Sequence, residues 1–451
     1  LLNAHKGRSD KFNGKQKGQE AMGIFNKSSR IHIHNIGFIS TRIAGTDGVS
    51  LEIQKWAEVL ERNRYNCFYF AGKLDRPKAQ SYLVDEAFFE HPEVKEINEA
   101  VFGKRVRSPK ISKKVDQLKH KLKAELYRFR DKFQIDLIIP ENALAIPMNI
   151  PLGLAITEFI AETGIPTIAH HHDFAWERDR FLVNACEDYL HTAFPPNLPN
   201  IQHVVINSLA SQQLSYRRGI SNTIIPNVLD YLIGPPEGRI PCNEIREKIG
   251  LAPDDVFILQ PTRVIPRKRI ERSIEIVKAV NEALGKKNRV LVISHASGDE
   301  GDEYYRRIKE YAREVGVQLV HIDHLISENS GSESGGPSYS IADIYRCADL
   351  VTYPSGYEGF GNAFLEAIYF KKPVVVNRYS IYIVDIEPKN FDVIVMDEFV
   401  SPSVVQNIIQ VLQDPVRQKE MVDHNYELAK KYFSYEVLEA KLLHLLKHYD
   451  Q

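Results

Sequence analysis

The chain has 451 residues, is 43% hydrophobic and 26% charged, and carries a formal net charge of -1. That length exceeds one ordinary core and points to two domains of about 200 residues each, and the composition is that of a soluble globular protein. A near-zero net charge gives no electrostatic reason to bind nucleic acid, and with no run of about 18 apolar residues no membrane insertion is expected.

Residues 1–30 are polar, basic and Gly-containing and lack the apolar stretch of a signal peptide. They read as a disordered tail. The four cysteines, Cys67, Cys186, Cys242 and Cys347, show no metal spacing and suggest no disulfide framework. A reducing, cytoplasmic setting is therefore expected.

After the tail, strand, loop and helix alternate. Strands are expected at 31–40, 66–71, 136–140, 167–169, 203–207 and 223–225, with an amphipathic helix over 51–62 and a charged one over 112–133. A Pro/Gly-rich stretch at 232–241 reads as a linker. The rhythm then restarts, with strands at 256–260, 289–294, 318–322, 350–353 and 373–377. The Ser/Gly-rich segment 327–340 reads as a loop, and the helix near 435–448 has a strong apolar face. Strands alternating with helices imply parallel sheets covered on both sides.

Four stretches carry chemistry. The first, PSGYEGFGNAFLE at 354–366, follows a strand and opens a helix. Gly359 and Gly361 let backbone N–H groups approach a ligand, and the helix starting near Asn362 points its positive end at it. Glu358 in the loop and Glu366 one turn into the helix can touch opposite ends of one extended ligand, such as a sugar and a ribose. The second, PTRVIPRKR at 261–269, also follows a strand; Arg263 and Lys268 can converge on a pyrophosphate and stabilise its departure, with Arg267 and Arg269 as competitors.

The third, ISTRIAGTDGVS at 39–50, places Asp47 and Gly48 in the crevice of a doubly wound sheet. Asp47 reads an acceptor hydroxyl or simply caps the next helix. The fourth is AHHHDFAWERDR at 169–180. Neighbouring residues on a strand point to opposite faces, so the three histidine rings cannot converge on one ion, and no metal is expected. Arg178 and Arg180 suit a carboxylate or phosphate, which arginine binds in a bidentate way.

The first stretch, read as PS-x-x-EGFG-x-x-x-LEA and followed by KPVV, resembles the E-x7-E signature of the retaining glycosyltransferases of family 4. Arg263 and Lys268 match that family's Arg-x4-Lys pair, with Thr262 and Arg269 where it usually has glycines. Asp47-Gly48 stands for its Gly-Gly, and Val228 for the glycine of its N-G-V-D turn. The resemblance covers about residues 31–445 and implies an α/β GT-B fold: two Rossmann-like doubly wound domains facing across a cleft. The acceptor domain would span 31–232 and the nucleotide-sugar donor domain 240–432, with a terminal helix, 433–451, crossing back onto the first.

The resemblance also assigns roles. His172, with His171 as rival, faces the donor sugar beside Asp173. Glu358 contacts sugar hydroxyls, and Glu366 the ribose. Gly48, Gly359, Phe360, Gly361 and Asn362 surround the donor. Arg263 and Lys268 stabilise the leaving phosphate, which takes the acceptor proton, so no cofactor is implied. UDP-, GDP- and ADP-hexoses are all compatible donors. Asp47, Asp173, Arg178 and Arg180 face a small acceptor, read as a sugar acid or sugar phosphate, with segments 73–107 and 176–180 building its site. A homo-oligomer stays open. An epimerase acting in the same cleft, or a non-catalytic sugar-nucleotide binding protein, is the alternative.

Overall fold

The structure is a computed structural model; it describes residues 32–45, 47–238, 240–296, 301–326 and 339–449. The expected tail and most of the Ser/Gly-rich segment 327–340 lie outside the described residues. Two parallel sheets organise the rest.

The first is seven-stranded, formed by β1 (Asn35–Ile39), β2 (Asn66–Ala71), β3 (Ser81–Leu83), β4 (Leu137–Pro140), β5 (Thr167–His171), β6 (Ile201–Val205) and β7 (Asn222–Ile224) in the order β3-β2-β1-β4-β5-β6-β7. The second is six-stranded, formed by β8 (Val256–Gln260), β9 (Arg289–Ile293), β10 (Leu319–His321), β11 (Leu350–Tyr353), β12 (Val374–Asn377) and β13 (Ile394–Met396) in the order β10-β9-β8-β11-β12-β13. Each sheet starts centrally, runs outward to one edge, then crosses back to fill the other. This is the Rossmann order, and its switch points lie between β1 and β4 and between β8 and β11.

The inner strands are buried on both faces and read as continuous apolar runs, whereas the edge strands β3, β7 and β10 are only partly covered. Helices supply the cover. The helix Gly48–Arg62 packs Ile53, Trp56 and Leu60 into a core shared with Phe38 and Ile139. The long helix Pro109–Phe133 lays Leu122, Leu126 and Phe129 against the helix Ile150–Thr163, with Lys119 and Lys123 bound to Glu158 at its edge. The terminal helix Tyr435–Lys447 buries Leu438, Leu442, Leu445 and Leu446 in the core of the first sheet, beside Trp56. Polar bonds fix its register: Tyr435 donates to Glu58 at 2.8 Å and Asn63 to Glu439 at 2.8 Å.

One expectation is overturned. Cys242 and Cys347 form a disulfide, with Cα atoms 5.1 Å apart, while Cys67 and Cys186 are free and buried. The pair is 105 residues apart in sequence, and only the packing of the short helices Cys242–Lys248 and Ile341–Cys347 brings it together. Spacing in the sequence carries no trace of that contact, and the cysteine argument for a reducing compartment falls with it. Among the described residues no helix is long and apolar enough to cross a membrane.

Candidate active site

Strand ends from both sheets face one another across a cavity of about 830 Å³. One wall comes from the loops after β1 (Arg42, Asp47, Gly48), β4 (Glu141, Asn142) and β5 (His172, Asp173, Arg178, Arg180). The other comes from the turn after β8 (Arg263, Arg267) and the loop after β11 (Tyr357, Glu358, Gly359, Asn362). Ligands of open α/β sheets bind outside the carboxyl ends of strands at the switch points, and here the two switch points confront each other.

Glu358 is the electrostatic centre of the second wall. It is 6% exposed, bonded to Lys268 Nζ, and accepts from Arg267 at 2.9 Å. Burial alone would raise its carboxyl, but Lys268 and Arg267 outweigh that and hold it below the ordinary carboxylate range. Burial lowers Lys268 in turn, against the pull of Glu358. Arg263 is exposed to the cleft, and among the described residues its side chain has no hydrogen-bond partner. Of the two competitors, Arg267 stays in the cleft. Arg269 turns away to pair with Glu398.

The loop is shaped by its glycines. Gly361 has φ +125°, and a Cβ there would sit 2.3 Å from the Tyr379 hydroxyl, so only glycine fits. Gly359 has no such conflict. The nearest neighbours for a Cβ are the His172 carbonyl at 3.7 Å and Ile206 at 3.9 Å, ordinary contacts across the cleft. The helix Asn362–Tyr369 begins at this point, and Asn362 Oδ1 accepts from Asn227 at 2.7 Å across the cleft. The side chain of Phe360 is 4% exposed and packs edge-on against Phe433, so it belongs to the core and leaves only the backbone of this residue to face the cleft. Aromatic burial wins at that position. Glu366 lies one turn in, accepts from the Tyr345 hydroxyl at 2.8 Å, and is raised by burial. It stands outside the lining of the large cavity.

The histidines separate cleanly. His171 is buried and bonded to His203 at 2.9 Å, and burial drives it well below its usual range. His172 lines the cleft and bonds Glu141 at 3.2 Å. Alternation keeps the three rings from one ion, as expected, yet it places His170 and His172 on the same face, where both meet Glu141. These groups lie within 4.8 Å of one another and have the composition of a divalent-ion site. They hydrogen-bond each other, however, and His170 Nε2 lacks the oxygen partner that orients a ligating histidine. A hydrogen-bonded triad fits them better than a metal centre.

The acceptor wall is only partly as expected. Asp47 caps the helix Gly48–Arg62, accepting from Val49 N, Ser50 N and Ser50 Oγ, and pairs with Arg42 at 3.2 Å. Arg178 is bonded to Asp173, which also accepts from Asn142 at 2.8 Å. Arg180 is exposed on the cleft, and among the described residues it has no carboxylate partner. Glu141, Asn142, Asn227 and Arg42 were missed as site residues. Glu141 and Asn142 directly follow β4, and the rule that ligands gather at strand C-termini would have found them.

The model of a family described as "Glycosyl transferases group 1" matches residues 242–428, which hold the second sheet. The chain is 32% identical over 437 residues to the mannosylglucosylglycerate synthase of Thermotoga maritima, covering 90% of this chain and 97% of that one. It is 33% identical over 389 residues to the enzyme of the same name from Petrotoga mobilis, covering 80% and 86%. Its fold is similar to a glycosyltransferase of Rickettsia africae, with a TM-score of 0.66 at 12% identity, over 92% of this chain and 98% of that one. It is also similar to Anabaena HepE, solved in complex with UDP-glucose, with a TM-score of 0.59 at 14% identity, over 92% and 99%. The full-length likeness and the two facing Rossmann-like sheets make this chain a member of the group 1 glycosyltransferases, of the family 4 type and GT-B fold.

Proposed function

We propose that this glycosyltransferase moves a hexose, with retention at the anomeric carbon, from a nucleoside-diphosphate sugar to a hydroxyl of a small sugar acid. The observation that carries the reading is the composition of the cleft. An unpaired Arg263 beside the Glu358–Lys268 pair faces His172, and Arg180 stands without a carboxylate partner on the opposite wall.

The donor diphosphate lies against Arg263 and Arg267 and the N-terminus of the helix Asn362–Tyr369, whose positive end favours an anion. These groups are preorganised for the charge that develops as the phosphate leaves, which makes a divalent ion unnecessary. Glu358 is engaged by two cations and is a poor nucleophile, so a covalent sugar–enzyme intermediate at that carboxylate is disfavoured. The leaving phosphate instead takes the proton of the acceptor hydroxyl on the same face of the sugar. His172 hydrogen-bonds a sugar hydroxyl, and Glu366 the ribose.

The names of the Thermotoga and Petrotoga relatives describe a product made of mannose, glucose and glycerate. A transferase forming such a product from a nucleotide sugar adds the outer hexose to glucosylglycerate, whose carboxylate is the partner that Arg180 lacks.

The test is a matrix of UDP-, GDP- and ADP-hexoses against glucosylglycerate, hexose phosphates, neutral sugars and buffer alone, with chelator in parallel. The expected result is a glycosylated sugar acid with the donor's anomeric configuration by NMR, unaffected by the chelator. An epimerised donor without acceptor, or an inverted product, would overturn the reading.

A further inference from the structure

Glu141 is an ionisable group for which the mechanism above has no use. It follows β4 directly and pairs with His170 of β5 in a parallel bridge. Its side chain is fully buried, and His170 is 1% exposed. A single oxygen, Oε2, receives both His170 Nδ1 at 2.9 Å and His172 Nε2 at 3.2 Å. His170 stacks on Trp56 with ring centroids 4.1 Å apart, and His172 stacks obliquely on His170 at 4.4 Å. Of the three groups only His172 has its side chain measurably open to the cleft, at 10% exposed.

A buried carboxylate is costly unless a cation or several donors meet it. Glu141 Oε1 has no partner among the described residues, so the compensation must come through Oε2. His170 cannot supply a charge: its Nε2 is buried and unpartnered, and burial lowers it. His172 can. Burial works against its charge, but Glu141 outweighs burial and raises it, and Glu52 and Asp173 add to the effect. Glu52 is itself tied to Lys55, and Asp173 to Arg178. Across the cleft stand Glu358, held by Lys268 and Arg267, and the free Arg263. His171 points to the opposite face and is neutral.

With Nε2 engaged, Nδ1 is the one ring nitrogen of His172 left for a ligand. We propose that Glu141 is a positioning residue for sugar transfer: by anchoring His172 Nε2 it presents Nδ1 to the donor sugar and keeps a proton there, so that His172 acts as a hydrogen-bond donor. This rests on the reading that His172 faces the donor. Deprotonation of His172 turns Nδ1 into an acceptor, and the bond to a hydroxyl reverses its sense.

The experiment separates charge state from activity. In ¹⁵N-histidine-labelled protein without substrate, with the His172 signal assigned by its loss in His172→Asn, both ring nitrogens should carry protons at about pH 7, and titration should occur above the ordinary value of about 6.5. Glu141→Gln keeps shape and removes the charge. It should lower that midpoint by about one unit or more and reduce kcat/KM by about tenfold or more at about pH 8, with recovery to within a few-fold near pH 5.5. A His172 with one ring proton at neutral pH in the unmodified protein overturns the proposal even where Glu141→Gln does not fold. So does a Glu141→Gln pH profile parallel to that of the unmodified protein. A charged His172 in a protein that transfers no sugar would instead reject the functional reading and leave the Glu141 assignment of charge intact.

Discussion

Asn207 Nδ2 donates to the carbonyl of Gly359 at 2.7 Å, tying the loop after β6 to the loop that carries Glu358. The same side chain caps the helix Ser208–Arg218, its Oδ1 accepting from Ala210 N at 2.7 Å. The two tasks can be separated. Asn207→Asp keeps the cap and loses the donor, setting a carboxylate against a carbonyl. Asn207→Ala loses both. Asn207→Asp should lower kcat/KM by about tenfold, the equivalent of one hydrogen bond, with little change in melting. Asn207→Ala should in addition lose about 1 kcal/mol of stability. Normal turnover by Asn207→Asp would show that the bond across the cleft does not shape the site.

Arg263 and Lys268 form a matched pair in sequence but differ in burial, and their alanine variants should differ accordingly. Lys268 is 8% exposed and bonded to a buried carboxylate. Its removal leaves Glu358, among the described residues, with Arg267 as its remaining ion-pair partner, a loss on the order of 3 kcal/mol of stability on top of any loss of turnover. Arg263 is exposed and unpaired among the described residues, so Arg263→Ala should melt within about 0.5 kcal/mol of the parent. Its turnover should fall about 100-fold, because the charge matters when the phosphate leaves. Equal melting of the two variants would contradict the burial argument; near-normal turnover by Arg263→Ala would move the phosphate site toward Arg267.

Glu366→Ala should weaken nucleoside-diphosphate binding by about 1.5–3 kcal/mol, the worth of hydrogen bonds to a charged group. The bond from Tyr345 at 2.8 Å provides a control. Tyr345→Phe removes that bond and leaves the carboxylate in place, so it should change the dissociation constant far less. Calorimetric titration with the diphosphate decides: an unchanged constant in Glu366→Ala excludes the ribose role.

The division of this chain into two Rossmann-like halves was legible because their strands are short, apolar and β-branched; three of them, Asn66–Ala71, Val256–Gln260 and Leu350–Tyr353, match their predicted bounds. The edge strands β3 and β13, of three residues each, were not expected, although β7 and β10 at the opposite edges are equally short and were. The E-x7-E loop was legible because its glycines and carboxylates are adjacent in sequence. Contacts between distant segments were hidden: Cys242 with Cys347, Asn227 with Asn362, and Glu141 with His172. Arg178 and Arg180 looked equivalent on paper, and only the fold shows that Asp173 occupies one of them.

That difference gives the sharpest test of the acceptor. Arg180 has no carboxylate partner among the described residues and is exposed on the cleft, so it can meet an incoming carboxylate without breaking an existing ion pair. Arg180→Ala should raise KM for a sugar-acid acceptor by roughly 10–100-fold, the loss of a charge-assisted bond, while melting stays within about 0.5 kcal/mol. Neutral acceptors should be indifferent to it. Arg178→Ala acts by a different route: it frees Asp173, still bonded to Asn142 at 2.8 Å, and leaves an uncompensated negative charge on the same wall. KM for an anion should rise through repulsion, and the double change Arg178→Ala with Asp173→Asn should restore part of it. A double-mutant cycle measures that coupling directly. If Arg180→Ala leaves KM for every anionic acceptor unchanged, Arg180 is not the partner of the acceptor carboxylate; if only neutral acceptors are glycosylated, the sugar-acid reading fails and the chain remains a glycosyltransferase.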